Sequence, residues 1–270
     1  FHSVASFNNS GFDVLGNGTS LIPYQKDVLL NLVTCALVIA GGIGFPVIFE
    51  LPQKHFSWER LSMHTRVVLS TTFALLLFGT LLLKLTENIS WLGAFFYSVS
   101  ARTAGFSTYN LGDFSTAGLL VVSGLMFIGA SPASTGGGIK TTTFFVLLSG
   151  IYSAATNHSE RAFHSAIPKD AFRKASVISM LAVFLVMTAS YLMLIFDPQL
   201  SLRDVLFEMI SAFSTSGLST GITSQLSAQS RILSIIMMYI GRLGPLTVAS
   251  LWYFTIGERV RYPEGTIAIG

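Results

Sequence analysis

The sequence predicts an all-α protein integral to a membrane and built from pseudo-symmetric repeats. Three observations carry that expectation: a composition poor in charge, a series of long apolar stretches, and a segment pattern that occurs three times. Of 270 residues, 51% are hydrophobic and 11% charged, where a soluble domain carries about 25% charged residues. Mean hydropathy is +0.64. Too little charge is present to cover a water-facing surface, so a bilayer is the natural solvent. A net charge of +3 gives no sign of a nucleic-acid partner. The single cysteine, Cys35, excludes an intrachain disulfide.

Five apolar stretches follow in order, at about 27–51, 67–86, 114–155, 176–196 and 230–256. The second and fourth have the ~20 residues that cross a bilayer once. The third is too long for one span. Its middle, Gly129–Lys140, reads Gly-Ala-Ser-Pro-Ala-Ser-Thr-Gly-Gly-Gly-Ile-Lys, and Pro132 with three consecutive glycines does not hold a regular helix. Helix, irregular loop and helix are expected there, all near membrane depth. Basic connections (Lys54, Arg60, Arg66; Arg161, Lys169, Arg173, Lys174; Arg259, Arg261) fall on the cytoplasmic side by the positive-inside rule. The connections at 87–113 and 197–229 are placed outside. Each outer connection holds a short apolar helix, 91–101 and 202–213, too short to span and therefore expected to be re-entrant. Ser201 with Asp204 resembles a capping box at the start of the second.

The repeat is read from three twelve-residue segments that align without gaps: Phe1–Phe12 (FHSVASFNNSGF), Phe95–Phe106 (FFYSVSARTAGF) and Phe207–Leu218 (FEMISAFSTSGL). Each starts with Phe and ends small-Gly-apolar, on Gly11, Gly105 or Gly217. A second polar turn follows at Gly16, Gly112 or Gly221, and then a span. The unit is span, short re-entrant helix, glycine turn, span. Its boundaries give a partial repeat at 1–57, a complete repeat with a broken second span at 58–157, and a complete repeat with a C-terminal tail at 158–270. The chain opens inside a short helix and no signal peptide is visible, so an incomplete view of a longer protein is expected.

Such a unit is suited to ion conduction around a central pore. Irregular backbone at membrane depth persists only if buried in protein or lining water. Glycine lets backbone carbonyls turn toward one axis, and rings of carbonyls replace a cation's hydration shell. The short helix aims its partially negative C-terminus at the same place. The filter candidates are therefore Asn9-Ser10-Gly11, Thr103-Ala104-Gly105 and Thr215-Ser216-Gly217.

These loops, the Ser134–Lys140 run STGGGIK and the Gly241–Thr247 run GRLGPLT resemble the Trk/Ktr/HKT superfamily of cation transporters, most closely its Ktr branch. The resemblance covers essentially the whole chain. It implies four span–loop–span repeats around one pore, the first of them absent from this chain. It implies K⁺ as permeant ion at the filter carbonyls, with Na⁺ conduction or coupling as the alternative, and no covalent cofactor. It also implies a multi-pass protein of the cell membrane, working as a homodimer on a cytosolic nucleotide-binding ring of the RCK type. The basic inner loops and the tail after Gly257 are the contact surface available to that partner. The family's loops read Thr-x-Gly, and Asn9 departs from that pattern.

A gate is expected at Gly129, Pro132, Gly136, Gly137, Gly138 and Lys140, with Arg242 of the last span hydrogen-bonding loop carbonyls and Lys140 adding charge near the inner mouth. Arg102, one residue before a filter triplet, is expected to cap the carbonyl end of its own short helix.

Other motifs carry less. Gly217-Leu218-Ser219-Thr220-Gly221 matches a hydrolase nucleophile elbow, which needs a preceding strand. Gly136–Thr141 lacks the Gly directly before Lys of a phosphate loop. His2, His55, His64, His158 and His164 show no metal-ligand spacing, and none lies in a span. That argues against an intramembrane enzyme. Repeats that begin on one side are parallel, which favours a shared pore over an inverted-repeat transporter. The triplets at Asn17 and Asn88 fit a glycosylation pattern without deciding anything.

Overall fold

A computed structural model describes residues 1–16, 18–156, 161–163, 165–168, 170–245 and 247. The tail after Gly257, the basic residues Lys169, Arg259 and Arg261, and Asn17, His158, His164 and Leu246 lie outside the described residues.

Among those residues the chain is helical apart from one small hairpin. The helices are α1 (His2–Phe7), α2 (Val28–Gly42), α3 (Phe45–Gln53), α4 (Met63–Thr86), α5 (Trp91–Ser100), α6 (Thr116–Phe127), α7 (Thr141–Thr156), α8 (Ala171–Phe196), α9 (Leu202–Ser214) and α10 (Ala228–Leu243). The hairpin pairs β1 (Arg161–Ala162) with β2 (Ser165–Ala166). The second and fourth apolar stretches become α4 and α8, at 24 and 26 residues each long and apolar enough to cross a membrane. The third stretch is α6, an irregular segment and α7, as its Pro and Gly content requires.

The first stretch differs from a single span. It breaks between α2 and α3, which meet at 97°. Gly44 sits at φ 92°, and a Cβ there would lie 2.4 Å from the Pro132 carbonyl oxygen. Pro46 in the first turn of α3 suits a fresh helix start. Hydropathy does not register this elbow, because both arms are apolar.

Serine caps organise the helix starts. Ser62, Ser90, Ser115, Ser201 and Ser227 each accept a backbone N–H from the first turn of their helix, satisfying donors that a helix leaves free. Three caps are themselves fixed by distant carboxylates. Glu50 accepts the Ser62 N–H and hydroxyl at 2.6 and 2.7 Å. Glu87 accepts those of Ser115 at 2.9 and 2.6 Å. Asp197 accepts those of Ser227 at 3.1 and 3.0 Å. Glu87 and Asp197 end α4 and α8, so the same acid–serine tie joins α4 to α6 and α8 to α10. The Ser201 cap is only half a capping box, since the Asp204 carboxylate takes the Ser201 hydroxyl (2.7 Å) rather than its backbone N–H.

The buried side chains form clusters around the short helices. One surrounds α5 with Leu83, Tyr97, Val122 and Met126. Another surrounds α9 with Val186, Met193, Met209, Phe213 and Met237. A third joins α1, α2 and α5 through Ala5, Val38, Phe96 and Phe106. The outward faces of α4 and α8 expose Phe73, Phe78, Met180, Phe184 and Tyr191, as lipid-facing helices do. Between helices in lipid, close packing replaces the hydrophobic drive, and small residues permit it. A Cβ on Gly79 would stand 2.5 Å from Ser98 Oγ, and one on Gly241 1.7 Å from the Phe213 carbonyl oxygen.

Candidate functional site

Each short helix runs into a loop of one design. α1, α5 and α9 are followed by a glycine at positive φ (Gly11 68°, Gly105 81°, Gly217 80°), preceded two residues earlier by a side-chain-bearing residue also at positive φ (Asn9 51°, Thr103 90°, Thr215 53°). Left-handed backbone is costly for non-glycine residues and persists where the surroundings enforce it. The turns reverse the chain, so that residues before and after the glycine face different environments.

The glycines come together. A Cβ on Gly105 would lie 2.1 Å from the Ser216 carbonyl oxygen and 3.4 Å from the Cα of Gly11. A Cβ on Gly11 would lie 2.7 Å from the Ala104 carbonyl oxygen, and one on Gly217 4.0 Å from the Cα of Gly105. All three candidate triplets therefore meet at one point of the molecule, with backbone carbonyls at the contact. Ser100 donates to the Phe106 carbonyl at 2.5 Å and holds the second loop from behind. Ser211 and Ser216 hydroxyls, 3.1 Å apart, do the same for the third.

The residues before the glycines meet the broken segment. Consecutive positions 135, 136 and 137 touch the three loops in turn. With the Asn9 amide donating to the Ser6 (3.0 Å) and Val38 (3.3 Å) carbonyls, its Oδ1 lies 3.1 Å from the Thr135 hydroxyl. A Cβ on Gly136 would stand 2.1 Å from Thr103 Oγ1, and one on Gly137 2.5 Å from Thr215 Oγ1. Only glycine fits at either place. The segment is tied at its neck: Ile139 N–H donates to Phe127 (3.1 Å), Ala130 to Gly137 (3.4 Å) and Thr141 to Ala130 (3.3 Å).

A further clamp comes from the α2–α3 elbow. Ser131 and Thr135 N–H groups donate to the Gly42 (3.0 Å) and Gly41 (3.3 Å) carbonyls, and Phe45 N–H donates to Ala133 (3.0 Å). Sequence reading missed this clamp. A signal for it exists, because Gly41-x-x-Gly44 returns as Gly241-x-x-Gly244, with Gly44 and Gly244 at φ 92° and 90°.

Three cations border the segment. Arg242 donates through Nη1 to the Thr135 carbonyl, and Lys140 Nζ donates to the Gly136 carbonyl at 2.7 Å. Lys140 thus folds back onto its own loop. Arg102, 6% exposed, does not cap α5. Its Nη2 reaches 3.5 Å to the Gly129 carbonyl, where the segment leaves α6.

Residues after the glycines line a cavity of about 500 Å³ that includes Gly11, Asp13, Gly105, Ser107, Gly217, Ser219 and Thr223. It is rich in hydroxyls and backbone groups. The Asp13 carboxylate is committed to the N–H groups of Leu15, Gly16 and Ser20 at 3.0, 3.2 and 3.0 Å. The described residues contain no group of three or more His, Cys, Asp or Glu able to hold a metal ion. Carbonyls and hydroxyls are the oxygen ligands that the site offers.

Comparison with known proteins gives the family and the fold. The TrkH family model, described as cation transport protein, matches residues 1–78 and 61–255. The whole chain aligns with 62% of the Ktr system potassium uptake protein B of Vibrio alginolyticus at 36% identity. It aligns with 63% of the Ktr system potassium uptake protein D of Bacillus subtilis at 35%, and with 63% of the potassium/sodium uptake protein NtpJ of Enterococcus hirae at 34%. The chain therefore spans under two thirds of these relatives' length. The potassium transporter TrkH from Vibrio parahaemolyticus shares the fold, with a TM-score of 0.74 over 93% of this chain and 57% of that one, at 17% identity.

Proposed function

The chain belongs to the TrkH family of cation transport proteins, and from that premise we propose that it forms most of the pore wall of a K⁺-uptake protein of the cell membrane. In this reading α1, α5 and α9 are re-entrant pore helices, and the repeats are arranged pseudo-symmetrically about one axis. The carbonyls around Gly11, Gly105 and Gly217 replace the hydration shell of the permeant ion. K⁺ is cargo, and no covalent cofactor takes part.

The observation that carries the proposal is the meeting of three positive-φ glycine loops at one point, with residues 135–137 seated against all three. A polar cavity lies on one side of that point and a glycine-rich obstruction on the other. The obstruction is the gate, held shut by Arg242, Lys140 and the elbow carbonyls. Na⁺ is the alternative permeant ion.

A second copy and a cytosolic nucleotide-binding ring are the proposed partners. Among the described residues, Lys54, Arg60 and Arg66 at the α3–α4 connection offer basic contacts on the cytoplasmic side.

The test is uptake by cells that lack their own K⁺ uptake, expressing the full-length protein. Uptake is expected from the wild type. Gly105→Val should abolish it while leaving the protein in the membrane, and undiminished uptake by that variant would refute the proposal.

A further inference from the structure

Among the three short helices α1, α5 and α9, only α9 carries a buried carboxylate. At the second position of the aligned segments stand His2, Phe96 and Glu208. Glu208 lies on α9 and is only 8% exposed. Its Oε1 accepts the Thr223 hydroxyl at 2.6 Å, and that hydroxyl is 2.8 Å from Ser219 Oγ. Its Oε2 has no hydrogen-bond partner among the described residues. The ion pairs found among those residues are Arg173–Asp170 and Arg203–Asp204, so no cationic side chain of the described residues pairs with Glu208. Ser219 and Thr223 both line the polar cavity above the glycines. The carboxylate is thus one hydroxyl removed from the space that an incoming ion occupies. The charged form of a carboxylate buried without a fixed cation is costly, and a cation entering the cavity would offset that cost.

Building on the proposed pore, we propose that Glu208 is a positioning residue. It holds the Ser219–Thr223 turn from behind and supplies the negative charge that draws monovalent cations into the cavity before they reach the glycine loops. The two duties separate by substitution. Glu208→Gln keeps a hydrogen-bond acceptor for Thr223 and removes the charge. Glu208→Leu removes both.

The experiment measures initial Rb⁺ uptake against external Rb⁺ concentration for the full-length protein in liposomes, at low and high ionic strength set with an impermeant salt. For Glu208→Gln the half-saturating concentration is expected to rise roughly three- to thirtyfold at low ionic strength, the span for one charge acting over several ångströms through partly aqueous surroundings. The maximal rate should stay within about twofold of the wild type, and the difference in half-saturation should shrink at high ionic strength. Glu208→Leu should lose maximal rate as well. An unchanged half-saturating concentration in Glu208→Gln would overturn the proposal. If Glu208→Gln fails to reach the membrane, Thr223→Val, which frees the carboxylate from its anchor, decides the positioning duty: an unaltered uptake curve overturns it. Absence of Rb⁺ uptake by the wild type would instead contradict the pore itself.

Discussion

Adding one methyl group at Gly136 should open the pore. An alanine Cβ there would fall 2.1 Å from Thr103 Oγ1 and 2.5 Å from the Ala130 Cβ, far inside van der Waals contact. Thr103 is fully buried and belongs to the loop that carries Gly105. Ala130 belongs to the tied neck of the segment itself. Neither neighbour is the free end of a flexible side chain, so the segment must move off the loops to accept the methyl. Overpacking of this kind costs about 1–3 kcal/mol. Charged against the closed arrangement alone, that shifts a closed–open balance by roughly 5–150-fold, until opening saturates. Gly124→Ala is the matched control, because a Cβ on Gly124 of α6 meets nothing within 4 Å. Passive Rb⁺ flux into liposomes containing the full-length protein, without any partner, reads the difference. Gly136→Ala should leak severalfold faster than the wild type, and Gly124→Ala should match it. A flux that falls or stays unchanged for Gly136→Ala, in a protein that assembles normally, would refute the barrier role of the segment.

Other perturbations follow the same logic. Deleting Gly136–Gly138 removes the contacts to Thr103 and Thr215 together and should raise flux more than any single change, whereas unaltered flux would show that Pro132 merely kinks a packed helix. Arg242→Ala, which removes the hydrogen bond to the Thr135 carbonyl, should raise flux by less than the deletion, and a fall in flux would contradict the restraint assigned to it. Asp197 is held below its ordinary pKa by hydrogen bonds from Ser230 and Ser227 that outweigh its burial. A carboxylate with a depressed folded-state pKa stabilises the fold fully above its unfolded pKa of about 4, and that contribution is lost as pH falls through the folded value. Melting curves should show Asp197→Asn less stable at neutral pH and less acid-sensitive below about pH 4 than the wild type, and coincident pH profiles would count against the tie between α8 and α10.

How much of this was legible depended on where the information lay along the chain. α4 and α8 announce themselves as uninterrupted apolar runs of spanning length. The broken segment is equally plain, since Pro132 and Gly136–Gly138 are incompatible with regular helix. The glycine turns were visible because three copies of one pattern could be laid together. The elbow at Gly44 was hidden, because the residues on both sides are apolar and the bend is set by contact with Pro132 and Ala133, about ninety positions away. The ties from Glu50, Glu87 and Asp197 to serine caps were hidden for the same reason, each joining residues 12 to 30 positions apart. Arg102 departs from the expected local cap because its side chain reaches past the end of α5 to the Gly129 carbonyl across the site, a contact that sequence position does not encode. Glu208 is not distinguished in the sequence, because a lone carboxylate on a short helix reads as surface until its burial is known.

Cations are proposed to bind where the loops of Gly11, Gly105 and Gly217 meet. Rb⁺ scatters anomalously and substitutes for K⁺, so crystals of the full-length protein grown with Rb⁺ locate the ion directly. An anomalous peak is expected at that meeting point, within coordination distance of backbone carbonyls from all three loops and between the polar cavity and residues 135–137. A transport-competent protein whose Rb⁺ peaks lie away from those carbonyls would contradict it.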